Sequence, residues 1–248
     1  MRILINGLYG HMGREVADLA LAGYRGAELA AGVDIVGGSG YDVPCVSDIA
    51  DVCTDADCIV DFSHHSCTAP LLDFAVKNNL PIVLATTGQT DEERAAIAEA
   101  ARKIPLFFAA NYSLGIALLI ELAKKTAAAM PDAEIEIIEK HHDRKVDAPS
   151  GTALAIAEAI REVREDATVN CGRSGFGKRT KEEIGIHSIR MGNIVGEHEV
   201  LIGTQNQTIT LKHEAHSRAL FAEGALAAAE FICGKEPGLY DMKSMISF

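Results

Sequence analysis

The sequence predicts an α/β chain in two parts, a doubly wound parallel sheet and a second domain of α+β type with a mixed or antiparallel sheet. Two observations predict the first part. Short β-branched runs alternate with helical periodicity through residues 1–112, the pattern of strands joined by helical crossovers. The first of those runs opens into a turn with glycine at every third position, Gly7, Gly10 and Gly13. The second part follows from residues 184–213, where three strand-like runs succeed one another with no helix between them. Parallel crossovers do not allow that arrangement.

Residues 2–6 (RILIN) read as a short buried strand, and a helix carrying Val16, Leu19 and Ala20 follows the glycine turn. Strand, glycine turn and helix form the context that a dinucleotide pyrophosphate needs. Glycine lets the backbone approach the phosphates, and the helix start supplies N–H groups. The first part is therefore Rossmann-like, with Gly7, Leu8, Tyr9, Gly10, His11 and Met12 as candidate cofactor contacts. The spacing is G-x-x-G-x-x-G rather than G-x-G-x-x-G, and a plain tight turn uses the same residues. Residues 28–33 form a second strand ending at Asp34, roughly 20 positions beyond the turn, where a carboxylate accepts hydrogen bonds from the adenosine ribose. A solvated strand-end aspartate is the plainer alternative. The next residue is Ile35, so no adjacent cation receives a 2′-phosphate. NADH is the expected cofactor, with NADPH possible.

Further strands are expected at 57–62, 81–85 and 106–109, with helices at 66–77 and from Thr90 onward. Asp91, Glu92 and Glu93 suit the positive end of that last helix. Ligands of such sheets lie beyond the carboxyl ends of strands. Ala85, Thr86 and Thr87 lie at one such end, and Ala109, Ala110, Asn111 and Tyr112 at another. Ordinary turn chemistry accounts for either segment taken singly. A long helix spans 114–130 and stops at Pro131.

Residues 134–158, EIEIIEKHHDRKVDAPSGTALAIAE, open as a strand and close as a helix. Between the two lie His141, His142, Arg144, Lys145 and Asp147, then Pro149-Ser150-Gly151-Thr152. Cations at a strand end running into a helix start make an anion-binding device, suited to a small molecule carrying carboxylates. Ser150 is the natural N-cap, which leaves the N–H groups of Gly151 and Thr152 for a ligand. Adjacent residues on a strand face opposite ways, so His141 and His142 are expected to have different roles. Asp147 either orients Lys145 or caps the turn, and Arg144 reads as a solvated charge. Strands at 184–190, 199–203 and 207–213 follow a polar, Gly-rich loop at 171–181. Helices are expected at 217–233 and 239–246.

The net charge of −12 argues against nucleic acid as a partner and makes a local basic cluster more telling. No apolar run approaches the ~20 residues of a membrane span. No signal peptide opens the chain, and the six cysteines contain no C-x-x-C pair. They read as reduced thiols, and the expected location is the cytoplasm. Nine histidines invite a metal reading, but no H-x-x-x-H, H-E-x-x-H or supporting cysteine spacing occurs, so no metal is expected.

The run from Glu139 through His141-His142, Lys145 and Asp147 to Ala153 closely resembles the signature E-x-H-H-x-x-K-x-D-A-P-S-G-T-A of the 4-hydroxy-tetrahydrodipicolinate (dihydrodipicolinate) reductase family, matching every specified position without a gap. The glycine turn is similar to the family's loop, with Tyr9 in place of a usual glycine and His11 in place of the usual arginine. The resemblance implies NAD(P)H-dependent reduction of a cyclic imine dicarboxylate in the diaminopimelate route to lysine. It gives His141 a general acid/base role, Lys145 proton donation, and His142, Gly151 and Thr152 the substrate carboxylate. Residues 85–87 and 109–112 would line the cofactor. It also implies a dinucleotide-binding domain of residues 1–112 and 216–248, a substrate and oligomerisation domain of 113–215, and a homotetramer. The rival readings are an NAD-linked reductase of another acidic substrate and a non-catalytic nucleotide-binding sensor.

Overall fold

The computed structural model describes residues 1–246, which fall into two compact units, one of Met1–Ser113 with the segment from Ala219 onward, the other Leu114–Arg218. In chain order the elements are β1 (Arg2–Asn6), α1 (His11–Leu21), β2 (Glu28–Val33), β3 (Cys45–Val46), β4 (Cys58–Asp61), α2 (Thr68–Lys77), β5 (Ile82–Leu84), α3 (Asp91–Ala100) and β6 (Pro105–Phe108). The second unit supplies α4 (Leu114–Ala129), β7 (Glu134–His141), α5 (Gly151–Arg161), β8 (Thr168–Cys171), β9 (Glu183–Arg190), β10 (Gly196–Thr204) and β11 (Gln207–Ala215). The chain then returns to the first unit with α6 (Ala219–Ile232) and β12 (Gly238–Tyr240).

The first unit is a seven-stranded parallel sheet in the order β12-β6-β5-β4-β1-β2-β3. Alternation along the strands sends Leu4, Ile59, Ile82, Leu84 and Leu106 to the face covered by α2 and α3, through Leu71, Leu72, Ala75 and Ile97. On the other face Phe107 meets Phe231 of α6 edge-on, with ring centroids 6.4 Å apart. The strand order reverses between β1 and β4, which is where doubly wound sheets open a crevice for ligands. The α3 start is a complete capping box between Thr90 and Glu93.

Two short strands, β3 and β8, were not foreseen. Their runs are too brief to show a period, and only pairing with β2 and β9 makes them strands. The helix expected at 239–246 is a correction. Gly238–Tyr240 instead extends the sheet beside β6, with Leu239 opposite Leu106, and only a single helical turn at Lys243–Met245 follows. Edge pairing and the packing of Tyr240 on Phe231, centroids 5.8 Å apart, override the helical spacing of Leu239, Met242 and Ile246.

The second unit is a five-stranded mixed sheet in the order β11-β10-β7-β9-β8, antiparallel through β10 and parallel through β9. Helices α4 and α5 cover one face. Along β7 that face changes character in steps of two residues. Ile135 lies opposite Ile184 and Ile202, and Ile137 opposite Ile186 and Val200, all buried beneath Leu119, Ile156 and Ile160. Each such side chain contributes roughly 1.5–3 kcal/mol by leaving water. The next step places Glu139 opposite Ser188 and His198, and the last places His141 opposite Arg190. One sheet face thus runs from an apolar core into a polar end.

Candidate active site

In the first unit, β1 delivers the chain into the glycine turn. Gly7 adopts φ +83°, and a Cβ there would lie 2.8 Å from the Phe62 carbonyl oxygen. A Cβ on Gly13 would lie 1.9 Å from the Gly7 oxygen, so helix and turn pack at backbone contact. The N–H groups of Gly7 and Leu8 both donate to Val33 O, at 2.8 and 3.2 Å. No side chain caps α1 at Gly10, so its first-turn N–H groups, at His11 and Met12, remain for an anion. Asp34 sits beside them. Its Oδ2 accepts the Tyr9 N–H at 2.8 Å and its Oδ1 the Val36 N–H at 3.0 Å, which ties the turn to the end of β2.

A cleft of about 480 Å³ joins Gly7, Tyr9, Gly10 and Asp34. It also takes in Arg14 and the end of β4 at Phe62-Ser63-His64, which sequence reading passed over. Arg14 donates from Nε to Tyr9 O at 3.0 Å and lies over the Tyr9 ring, 5.2 Å from its centroid. Beneath the cleft, buried Asp61 accepts from Asn6 Nδ2 (2.8 Å) and Ser63 Oγ (2.6 Å), and burial pushes its carboxyl above the usual range.

The other expected cofactor residues are placed differently. Leu8 is fully buried and fills the space left by the missing side chain of Gly32. Tyr112 is a core residue whose hydroxyl donates to Leu84 O at 2.7 Å. Both can face a ligand only through their backbone. His11, Met12, Ala85, Thr86, Thr87, Ala109, Ala110 and Asn111 do not line the cleft. The segments at 85–87 and 109–111 lie farther along the same sheet, past the carboxyl ends of β5 and β6.

In the second unit the polar end of the sheet is organised by Glu139, which has no exposed surface. Its Oε2 accepts from His141 Nδ1 at 2.5 Å and Arg190 Nη1 at 2.8 Å, and its Oε1 from Arg190 Nη2 at 2.7 Å and the Ser150 N–H at 3.1 Å. Burial alone would raise this carboxyl. The donors Arg190, Ser188, His141 and Ser150 outweigh it and hold Glu139 down to about 2. Arg190 also donates to Asp147 O at 2.6 Å, and the Asp147 carboxylate pairs with Lys145 Nζ at 2.8 Å. Asp147 therefore orients Lys145.

Ser150 caps α5, with Oγ accepting the Ala153 N–H at 3.2 Å. That hydroxyl lies 3.1 Å from Nε2 of buried His198, whose proton affinity burial lowers to about 4, with the nearby His141 adding to the effect. Burial also lowers the proton affinity of His141, as do the charges of Lys145 and Arg190, against the opposing pull of Glu139. The His142 Nδ1 is buried and has no partner among the described residues. Arg144 is exposed and bonded to Asp143 and Asn193. Gly151 has an ordinary backbone and nothing within 4 Å of where a Cβ would stand, so the fold itself gives no reason for glycine there.

Sequence reasoning placed none of Glu139, Arg190, Gly196 and His198 in the site. Glu139 had a readable signal, being two residues before His141 and thus on its face of the strand. Arg190 and His198 come beside it only through the registers of β9 and β10. Gly196 makes room for the His141 ring, since a Cβ there would stand 3.1 Å from Nε2.

A doubly wound sheet with its glycine turn and Asp34 at the reversal of strand order, joined in one chain to an α+β unit with a cationic strand end, defines a Rossmann-type, nucleotide-binding class of protein. Its particular kind follows from comparison with known proteins. Residues 1–112 match the family model for the N-terminus of dihydrodipicolinate reductase and residues 115–246 that for its C-terminus, so the chain belongs to the dihydrodipicolinate reductase family. It is 45% identical to the 4-hydroxy-tetrahydrodipicolinate reductase of Caldanaerobacter subterraneus subsp. tengcongensis, over 99% of this chain and 98% of that one. It is 42% identical to the Clostridium novyi enzyme over the same shares. Among solved structures, dipicolinate-bound dihydrodipicolinate reductase from Paenisporosarcina sp. TG-14 superposes with a TM-score of 0.84 at 27% identity, over 99% of each chain.

Proposed function

We propose that this protein is a 4-hydroxy-tetrahydrodipicolinate reductase of the diaminopimelate route to lysine, using NAD(P)H. The observation that carries the reading is the polar strand end of the second unit. There a buried carboxylate ties His141 to the start of α5 and, through Arg190 and Asp147, to Lys145. Cations beside a helix start suit a rigid dicarboxylate. His142, whose Nδ1 has no partner among the described residues, and the Gly151 and Thr152 amides are the proposed carboxylate contacts. The bare site of Gly151 supports this, because a glycine the fold does not require suits close approach by a ligand.

For the cofactor, the uncapped start of α1 fits a pyrophosphate, and Asp34, whose two oxygens keep further lone pairs, fits a ribose diol. Gly7, Leu8, Tyr9, Gly10, His11 and Met12 would hold the phosphates. Residues 85–87 and 109–112 would extend the site along the strand ends. Bound NAD(P)H supplies the hydride. Addition at a ring carbon conjugated with the imine drives negative charge to the far end of the conjugated system. The Lys145 ammonium stabilises that charge and protonates it, and His141 handles protons beside it. Asp147 keeps Lys145 in place for the transfer.

NADH is the proposed preference. Asp34 has the exposed aliphatic neighbours Ile35 and Val36, and Arg14 is engaged with Tyr9. A cytoplasmic location and a homotetramer complete the proposal. The tetramer would form through the sheet face opposite α4 and α5, where Ile189 is 40% exposed. The test is steady-state consumption of each reduced cofactor with the cyclic imine dicarboxylate. Turnover with a lower KM for NADH supports the reading. Cofactor binding without turnover would favour a nucleotide sensor, and turnover only with another acid would favour a related reductase.

A further inference from the structure

Glu139 accepts from three N–H groups whose direction is fixed, two of Arg190 and one of Ser150, which hold it ionised, and an ionised carboxylate cannot donate. The hydrogen between Glu139 Oε2 and His141 Nδ1, 2.5 Å apart, therefore belongs to the imidazole. Arg190 grips both carboxylate oxygens as a fork, at 2.7 and 2.8 Å, which fixes the plane of the carboxylate. We propose that Glu139, locked by Arg190, is a positioning residue for the reduction, holding His141 with its proton on Nδ1 and its Nε2 lone pair free while anchoring the start of α5 at Ser150. This rests on the reductase reading, since it names what aligns the proposed proton-handling and carboxylate-binding groups with each other.

One carboxylate thereby couples two jobs. If it moves, the imidazole shifts relative to the start of α5, because the His141 ring and the Ser150 N–H, which precedes the amides of Gly151 and Thr152, are held by the two oxygens of one carboxylate. Gly196 completes the arrangement by leaving room for the ring edge that carries Nε2. The charged and titratable groups facing His141 are Glu139 on its own strand, Arg190 on β9, His198 on β10 with ring centroids 5.2 Å away, and Lys145 in the loop that follows.

Two measurements test the proposal. Nitrogen-15 NMR of the wild-type protein without ligands, with His141 identified from the spectrum of His141→Gln, should show Nδ1 protonated and Nε2 bare across roughly pH 6–8, with a far-downfield Nδ1 proton. The opposite tautomer overturns the proposal, and this readout needs no turnover. Second, Glu139→Gln should lower kcat/KM on the order of 100-fold with NADH affinity unchanged. It should also shift the acid limb of the pH profile to lower pH, because the group that raised the proton affinity of His141 is gone. Arg190→Lys, which keeps the charge and loses the fork, should lower the rate less than Arg190→Ala does. A pH profile superimposable on wild type, at equal rate per folded molecule, overturns it. If Glu139→Gln does not fold, the wild-type spectrum decides alone. Failure of the reductase reading would look different, with a wild-type enzyme that does not turn over.

Discussion

Both units place a helix start at the carboxyl end of a strand, yet they make it receptive in different ways. The start of α1 has no side-chain cap and is shaped by glycines in backbone contact with one another. The start of α5 is capped by Ser150, backed by His198 and Glu139, and flanked by charged side chains. The first is a backbone device, suited to a phosphate chain that any nucleotide shares. The second is a side-chain device, suited to one shape and one reaction. The glycines mark the difference, because Gly13 is required by the protein's own packing whereas Gly151 faces open space.

The comparison breaks most sharply at Lys145. Lys145→Ala should lower kcat by roughly 10²–10⁴-fold while NADH affinity, measured by fluorescence titration, stays within about twofold of wild type, well under one tenfold step of 1.4 kcal/mol. Loss of NADH binding as well would contradict the division of labour between the units.

Next in size is the response to acid. His198 takes up a proton near 6.5 when unfolded and only near 4 when folded. Between those values the unfolded state binds more protons, so stability is full above about 6.5 and falls as pH drops toward 4. The contribution lost is on the order of 3 kcal/mol. Urea unfolding of wild type and His198→Gln at several pH values should give a shallower acid slope for the variant. Asp61 in the first unit has the opposite sign, since its raised carboxyl pKa makes the folded state the better proton acceptor in the acid range.

Smaller effects separate the two glycines. Gly13→Ala drives a Cβ into the Gly7 oxygen and should cost about 1–3 kcal/mol of stability together with NADH affinity. Gly151→Ala should leave stability within about 0.5 kcal/mol, yet raise the KM for the dicarboxylate about tenfold or more. An unchanged KM would remove Gly151 from the substrate site. Least in size, Ile35→Arg should shift the KM ratio toward NADPH by about tenfold, or about 1.4 kcal/mol.

Much of this molecule is legible along the chain. Alternating strand and helix periods, the glycine turn and the strand-to-helix passage at 134–158 are local patterns, because backbone propensity and amphipathic spacing act over a few residues. Ser150 as an N-cap is local in the same sense. What escaped reading depends on contacts far apart in sequence. Leu239 becomes a strand residue because Leu106 lies beside it, and Leu8 and Tyr112 turn into the core because Gly32 and Leu84 receive them. Glu139 acquires its donors from Arg190, 51 residues away, and from Ser150, 11 away. By itself, then, the sequence determined the kind of fold and the residue types gathered at each strand end. Strand register decided which guanidinium locks that buried carboxylate and which second imidazole lies beside the first, because register brings together groups that no local period relates.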